Sequence, residues 1–463
     1  MKTLVANPDA AVSADNIVPG WFYLLYVLIL VAAFWTSEHD LNRSVYFRDI
    51  DNQSYDGSHN RTADKLGQVD RTASVTRISF AMLGLYLLVT QKQFRIRFDA
   101  PLLWLSLAVA TMFYASVMWS VNPMHSLFKL VVLSCLIIAA IGFASRFSLH
   151  LLLEWFAFAC AIYICIGVLA ELYYGTLRAG GDYRFVGTSH PNTEAIYGSI
   201  VCLCARLFYQ QDRSKLTAVL LFGLGFACIL ATKSRTTLAA TVAALVVIQI
   251  VSLRGWDRLL VIVTGMFAIG SFAIAAMFLN SQGFDQLTNV IAMGRTDDVT
   301  SLTGRLPLWE ELLLAIQKSP ALGYGYLAFW DSDRVEILSS TLGWEIPHGH
   351  NMYLDVAIDI GIVGALLFVA WLISALLTSA NQSARTGKVE YAIVAGIMTS
   401  AMINGGGESL FKLPGFPLFI LVTATVAILR DVPASEVASL NSSQRNAVQF
   451  STSTKPLTIG SPP

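Results

Sequence analysis

Charge is what this sequence has least of. Only 13% of its 463 residues are Asp, Glu, Lys or Arg, against 55% hydrophobic. That balance excludes a soluble globular protein of this length. Lys plus Arg and Asp plus Glu number 31 each, so the net charge is zero. With no basic patch and no recognition motif, nothing points to nucleic acid. Cysteine is also scarce. Cys135, Cys160, Cys165, Cys202, Cys204 and Cys228 all lie inside apolar runs, and none stands beside histidine at metal-ligand spacing. They read as small apolar packers. There is no internal repeat. The polar lead 1–19 shows no cleavable signal and runs into a full-length span expected to act as an anchor.

What is present instead is a series of apolar runs from Gly20 to Arg430. Lipid cannot satisfy backbone polar groups, so such runs must be helices or a closed barrel, and the missing period-two alternation excludes the barrel. The expected fold is an all-α polytopic integral membrane protein with about twelve transmembrane helices. The spans are expected over 21–36, 78–90, 101–119, 127–144, 149–170, 192–208, 216–231, 236–252, 259–279, 352–377, 391–403 and 416–429. Two of them, 78–90 and 391–403, are short for a crossing. A polar segment, 38–77, separates the first pair. A large loop, 280–350, precedes the last three spans. Its stretch 289–304 is polar, and 306–318 reads as an amphipathic helix lying on the membrane, with Leu306, Trp309, Leu313 and Ile316 on its apolar face. The transmembrane domain is thus 20–430, between a cytoplasmic lead and a Ser-, Thr- and Pro-rich tail, 431–463, expected to be disordered.

Basic residues in short loops orient the chain. Lys92, Arg95, Arg97, Arg146, Arg206, Arg213, Lys215, Arg254, Arg258, Arg385 and Lys388 fall on one side together with both termini, which makes that side the cytoplasm. The 38–77 segment is the exception: it carries six basic residues yet falls outside.

This topology, set without reference to any candidate residue, gathers several polar groups on the outer face. Arg184 lies in the loop 180–192 beside His190 and Asn192. Lys233 and Arg235 lie in a tight turn, 232–237. Arg305 opens the amphipathic helix, His348 and His350 close the long loop ahead of Asn351 and Tyr353, and Glu408 lies in the turn 404–409. Arginines retained on the side where cations are depleted suit an anion, because a guanidinium fork matches phosphate oxygens bidentately. Lys233 and Arg235 at a helix start add the positive end of its dipole. The competing explanation is that each arginine snorkels to headgroups or pairs with a carboxylate. His350 suits a general base near neutral pH. A metal on His348 and His350, with Glu345 or Asp355, lacks the spacing of a helical metal site. Asp355 and Asp359, four apart, suit a proton relay or a structural pair that orients neighbours. Asn192 suits a helix cap. Glu408 suits orienting an arginine or the histidine.

On these residues the chain resembles the O-antigen ligase and polymerase superfamily, and within it the exopolysaccharide repeat-unit polymerases of the succinoglycan type. The resemblance runs from Gly180 to Ala427. It rests on Arg184 to Asn192, the Ser234-Arg235 helix start, Gly304 to Trp309 with the glycine turn Ser319 to Gly325, and His350-Asn351 with Tyr353, Leu354, Gly361 and Gly364. It implies metal-independent, inverting glycosyl transfer without a cofactor, in the bacterial inner membrane, with the active site facing the periplasm. The donor would be an oligosaccharide on polyprenyl diphosphate and the acceptor a glycan, with a flippase and chain-length or export proteins as partners. Arg184 and Arg235 would bind the diphosphate and His350 would activate the acceptor hydroxyl. Arg305, with a looser match, would assist or hold sugar; His348, Asn351, Tyr353, Glu408, Lys233 and Asn192 would line the substrate. The extra His348 leaves open which histidine acts. A ligase making one transfer would use the same residues. A transporter of lipid-linked saccharide would instead show inverted repeats and broken helices, and the sequence shows neither.

Overall fold

In a computed structural model of the chain, the residues described are 20–46, 71–91, 94–178, 183–209, 214–253, 255, 257–258, 304–410 and 414–430. Among them the fold is all-helical, with one isolated bridge, Ile96–Arg430, and no strand. The helices are α1 Gly20–Glu38, α2 Arg71–Thr90, α3 Pro101–Ala115, α4 Pro123–Arg146, α5 Leu149–Tyr173, α6 Pro191–Tyr209, α7 Lys215–Ala231, α8 Arg235–Ser252, α9 Arg305–Lys318, α10 Ser332–Leu342, α11 Met352–Thr386, α12 Val389–Gly405 and α13 Phe416–Leu429. Seven helices are long and apolar enough to cross a membrane, and α7, α12 and α13 are shorter apolar helices. The expected span 259–279, the polar stretch 289–303 and both chain ends, 1–19 and 431–463, lie outside the described residues.

Local chemistry explains where the helices start. Asn122 accepts a hydrogen bond from His125 N ahead of Pro123, Ser148 accepts one from Leu151 N, and Asp331 accepts one from Arg334 N. These are side-chain N-caps, with proline at the first helical position of α4. Close helix approach is made by small residues, as expected where lipid gives no hydrophobic drive between helices. Gly198 and Gly225 back onto each other's carbonyls between α6 and α7, and Gly84 meets Gly142 between α2 and α4. A Cβ at any of these would collide with backbone. The central helix α6 is buried almost all round.

The ends of the helices sort onto two faces. On one, His150 of α5 binds Glu390 of α12 at 2.9 Å, and the Ile96 bridge ties the α2–α3 connection to the end of α13. On the other, Glu38 at the end of α1 accepts hydrogen bonds from Tyr197 Oη (2.6 Å) and Phe416 N (2.5 Å). The N-terminal end of the 38–77 segment is therefore stitched into the bundle. Asp40 N donates to Thr188 O, and His39 Nδ1 meets Thr188 Oγ1 at 2.8 Å.

Two expectations change, and a third gains detail. The short span 78–90 is the larger part of α2, which begins at Arg71 inside the polar segment. The face that α9 turns to the protein is Leu308, Leu312 and Ile316, whereas Leu306 and Leu313, on the face read as lying on the membrane, are exposed. And α11 is broken. Ile360 and Gly361 leave helical geometry, with Gly361 at φ 74°, about 13 Å into the helix at the usual rise. The loop after α9 inserts there: Tyr324 N donates to Ile358 O, Gly325 N to Asp359 O and Ile362 N to Pro320 O. Backbone freed at membrane depth is thus satisfied by protein. The break is where the loop after α9 packs against α11.

Candidate active site

Four connections meet at Glu408, in the turn after α12. Arg305, the first residue of α9, donates from Nη2 to Glu408 Oε1 (2.8 Å) and from Nη1 to Gly407 O (2.6 Å). Asn192 Nδ2, in the first turn of α6, donates to the same carboxylate oxygen. His350 Nδ1 faces the other oxygen, Oε2, at 3.8 Å. Arg184 enters through Asn192: its Nη2 donates to Asn192 Oδ1 (2.6 Å) and its Nε to Thr232 O (2.7 Å). Thr232 opens the turn that carries Lys233, at φ 49°, and leads into α8 at Arg235. Thr236 of α8 and Arg305 both close on Gly407, where a Cβ would crowd Arg305 and touch Thr236. Arg184, the turn bearing Arg235, Arg305, His350 and Glu408 are therefore one assembly, drawn from four loops far apart in the sequence.

Electrostatics follow from this arrangement. Burial opposes the charge on Glu408, but His350 and Arg305 beside it hold its pKa down at about 2. It is a fixed anion at any physiological pH. Burial pushes His190 the other way, to about 3, against the opposing charge of Glu408 and with Arg184 and His350 adding to the shift. His190 is thus neutral. Its Nδ1 accepts from Asn192 N at 3.3 Å, which leaves the proton on Nε2.

The two histidines flanking Gly349 are not equivalent. His348 Nδ1 accepts a hydrogen bond from His350 N at 3.2 Å, so the neutral His348 ring also carries its proton on Nε2. His350 has both ring nitrogens buried without a hydrogen-bond partner among the described residues. Its ring lies 4.1 Å from that of His348 and 5.5 Å from Trp344. The backbone holds His350 at φ 46°, a left-handed conformation that is uncommon for a residue with a side chain and recurrent at functional sites.

The remaining candidates are engaged in building the site. Asn351 caps α11 by accepting from Tyr353 N (3.0 Å) and Leu354 N (3.1 Å), and its Nδ2 donates to Gly406 O. Tyr353 Oη donates to Met402 O at 2.7 Å. Asp355 accepts from Gly349 N (3.1 Å) and Ser409 Oγ, and Asp359 accepts from Leu327 N at 3.0 Å. Asp355 thus orients backbone beside the site, and Asp359 orients the loop after α9. Sequence reading missed the part of Ser409, which follows Glu408 directly but meets Asp355 only in the fold. Among the described residues, no three His, Cys, Asp or Glu side chains are grouped to hold a metal ion.

Residues 218–369 match the family described as O-antigen ligase. These residues are thus similar to the O-antigen ligase and polymerase superfamily. It is 26% identical over 231 residues, 45% of its length, to the exopolysaccharide production protein ExoQ of Rhizobium meliloti (strain 1021). That match spans about half of the relative, 51%. The O-antigen ligase segment contains Arg235, Arg305, His348, His350, Asn351 and Tyr353. Arg184, Asn192 and Glu408 lie outside it and join it only through the fold.

Proposed function

We propose that this protein is a metal-independent, inverting glycosyltransferase that joins polyprenyl-diphosphate-linked oligosaccharide units into a polysaccharide outside the cytoplasmic membrane. The observation that carries the reading is the convergence of Arg184, Arg305 and His350 on Glu408, beside the helix start at Arg235. Diphosphate is already a good leaving group. What the reaction needs is cationic donors where charge develops and a placed base.

In this mechanism the acceptor hydroxyl sits at His350 Nε2. Glu408 faces Nδ1 and favours the tautomer with its proton there, which leaves the Nε2 lone pair as the base. His350 takes the hydroxyl proton as the oxygen attacks the anomeric carbon of the donor sugar. The bond from that carbon to the diphosphate oxygen breaks, and its electron pair leaves on the diphosphate. Arg184 and Arg235, with the positive end of α8, meet that charge. Arg305 is paired with Glu408 and holds the carboxylate in place. His348, whose Nδ1 is taken by the backbone, shapes the pocket. This assigns the base to His350.

The active site faces the periplasm in this reading, since the face bearing Glu408 is opposite the one carrying the basic short loops. The same residues would serve a ligase that transfers glycan once to lipid core or protein. Overall similarity to an exopolysaccharide production protein favours the polymerase. The test is reconstitution of purified protein with one lipid-diphosphate-linked repeat unit in the presence of chelator. A ladder of products supports a polymerase; single transfer onto an added lipid-core or protein acceptor supports the ligase.

A further inference from the structure

His350 and Glu408 lie 58 residues apart in the sequence by their numbers, on turns that share no helix. Something must fix the gap between them. The two residues that do so sit next to them. Asp355, one turn into α11, reaches back to accept from Gly349 N with Oδ1, directly before His350. With Oδ2 it accepts from Ser409 Oγ, directly after Glu408. One buried carboxylate therefore holds the chain on both sides of the pair. Three further bonds fix the same joint: Met352 N to Glu408 O (3.2 Å), Asn351 Nδ2 to Gly406 O (3.3 Å) and Trp309 Nε1 to Gly349 O (2.9 Å). The approach is close enough that a Cβ at Gly349 would run into Asp355 Oδ1, which explains why glycine separates the two histidines.

We propose that Asp355 and Ser409 form one positioning clamp that sets His350 against Glu408. The clamp touches no substrate. It converts the 3.8 Å separation of His350 Nδ1 and Glu408 Oε2 from an accident of two loops into a fixed quantity, and it supports the left-handed backbone at His350. Its catalytic consequence rests on the glycosyl-transfer reading; its structural consequence does not.

The test uses the full-length purified protein in detergent, with Ser409→Ala, Ser409→Thr and Asp355→Asn. The first measurement is the rate at which diethyl pyrocarbonate modifies each histidine, read by peptide mass spectrometry. His350 is expected to react several-fold faster in Ser409→Ala and at the wild-type rate in Ser409→Thr, while His150 on the opposite face is unchanged. An unaltered His350 rate in Ser409→Ala overturns the clamp. The second measurement is kinetic, with the lipid-diphosphate-linked repeat unit as substrate. Ser409→Ala is expected to lower kcat about tenfold at constant KM, the scale of a small misplacement of a catalytic group. Added to Glu408→Gln it is expected to lower kcat no further, because it acts through that carboxylate. Additive losses overturn the proposal. Should Asp355→Asn fail to fold, the milder Ser409 pair carries the test. If the wild-type protein transfers nothing, the functional reading falls, and the modification rates still decide the clamp.

Discussion

In the proposed mechanism His350 is the residue on which the chemistry turns. A buried imidazole with both nitrogens unpartnered among the described residues, beside a carboxylate that stays ionised, suits the proton transfer proposed for it. His350→Ala is expected to lower transfer about a thousandfold, within the usual range for a lost general base, with membrane insertion and yield unchanged; near-normal product would remove His350 from the mechanism. Arg235→Lys tests the anion role. Lysine keeps the charge but loses the fork, and at least a tenfold loss is expected, about 1.4 kcal/mol of transition-state binding. Equal activity would contradict bidentate phosphate binding. His190 gives a pH signature. Its pKa falls from an ordinary 6.5 to about 3 in the folded protein, so the unfolded chain binds the proton more readily. The stability this histidine contributes is complete above pH 6.5 and is lost as the pH falls toward 3. Thermal unfolding in detergent at pH 7 and pH 4 should show a smaller acid loss in His190→Gln than in the wild type. Glu408, held at about 2 against an ordinary 4.5, brings an acid loss of its own that begins below about pH 5, and that loss is common to the wild type and His190→Gln.

At the scale of elements, the informative ones are α9, the loop after it and α11. Helix existence was legible from apolar run length, and α11, α12 and α13 start close to where the sequence places them. The break at Gly361 was not legible. Ile360-Gly361-Ile362 reads as continuous apolar helix, and the groups that satisfy the break, Pro320 and Tyr324 to Gly325, lie some forty residues earlier. The protein-facing side of α9 was not legible for a related reason. Leu306, Leu308, Leu312, Leu313 and Ile316 offer two apolar stripes, and only the packing partner selects Leu308, Leu312 and Ile316. The charged members of the candidate site were legible because cations gathered in the loops at one end of the bundle stand out against an apolar background. Asn192 as the bridge from Arg184 to Glu408, and Ser409 as a partner of Asp355, were not, since neither carries a pattern until the turns meet. Gly361→Ala is expected to destabilise the protein by about 1–3 kcal/mol, because its Cβ would meet the Ala321 carbonyl and its φ is positive. An unfolding temperature in detergent equal to the wild type would show that the loop gives way at no cost.

For the whole molecule, the central matter is which face carries the site and what it does there. Every tie described around Glu408 lies on one end of the bundle, and the His150–Glu390 pair lies on the other. The orientation proposed from basic loops then predicts labelling. A cysteine placed at the exposed Asp333 should react with a membrane-impermeant maleimide in cells whose outer membrane is opened, and one at the exposed Arg385 should react only after the inner membrane is breached. The reverse pattern would put the site in the cytoplasm and exclude a lipid-linked donor already flipped outward. The most direct test of the account remains the reconstituted reaction itself. Purified wild-type protein and His350→Ala, each in liposomes with chelator, would receive the same polyprenyl-diphosphate-linked repeat unit, with products resolved by size. A ladder is expected from the wild type and none from His350→Ala. A ladder from both, or a wild-type reaction that requires a divalent metal, would contradict it.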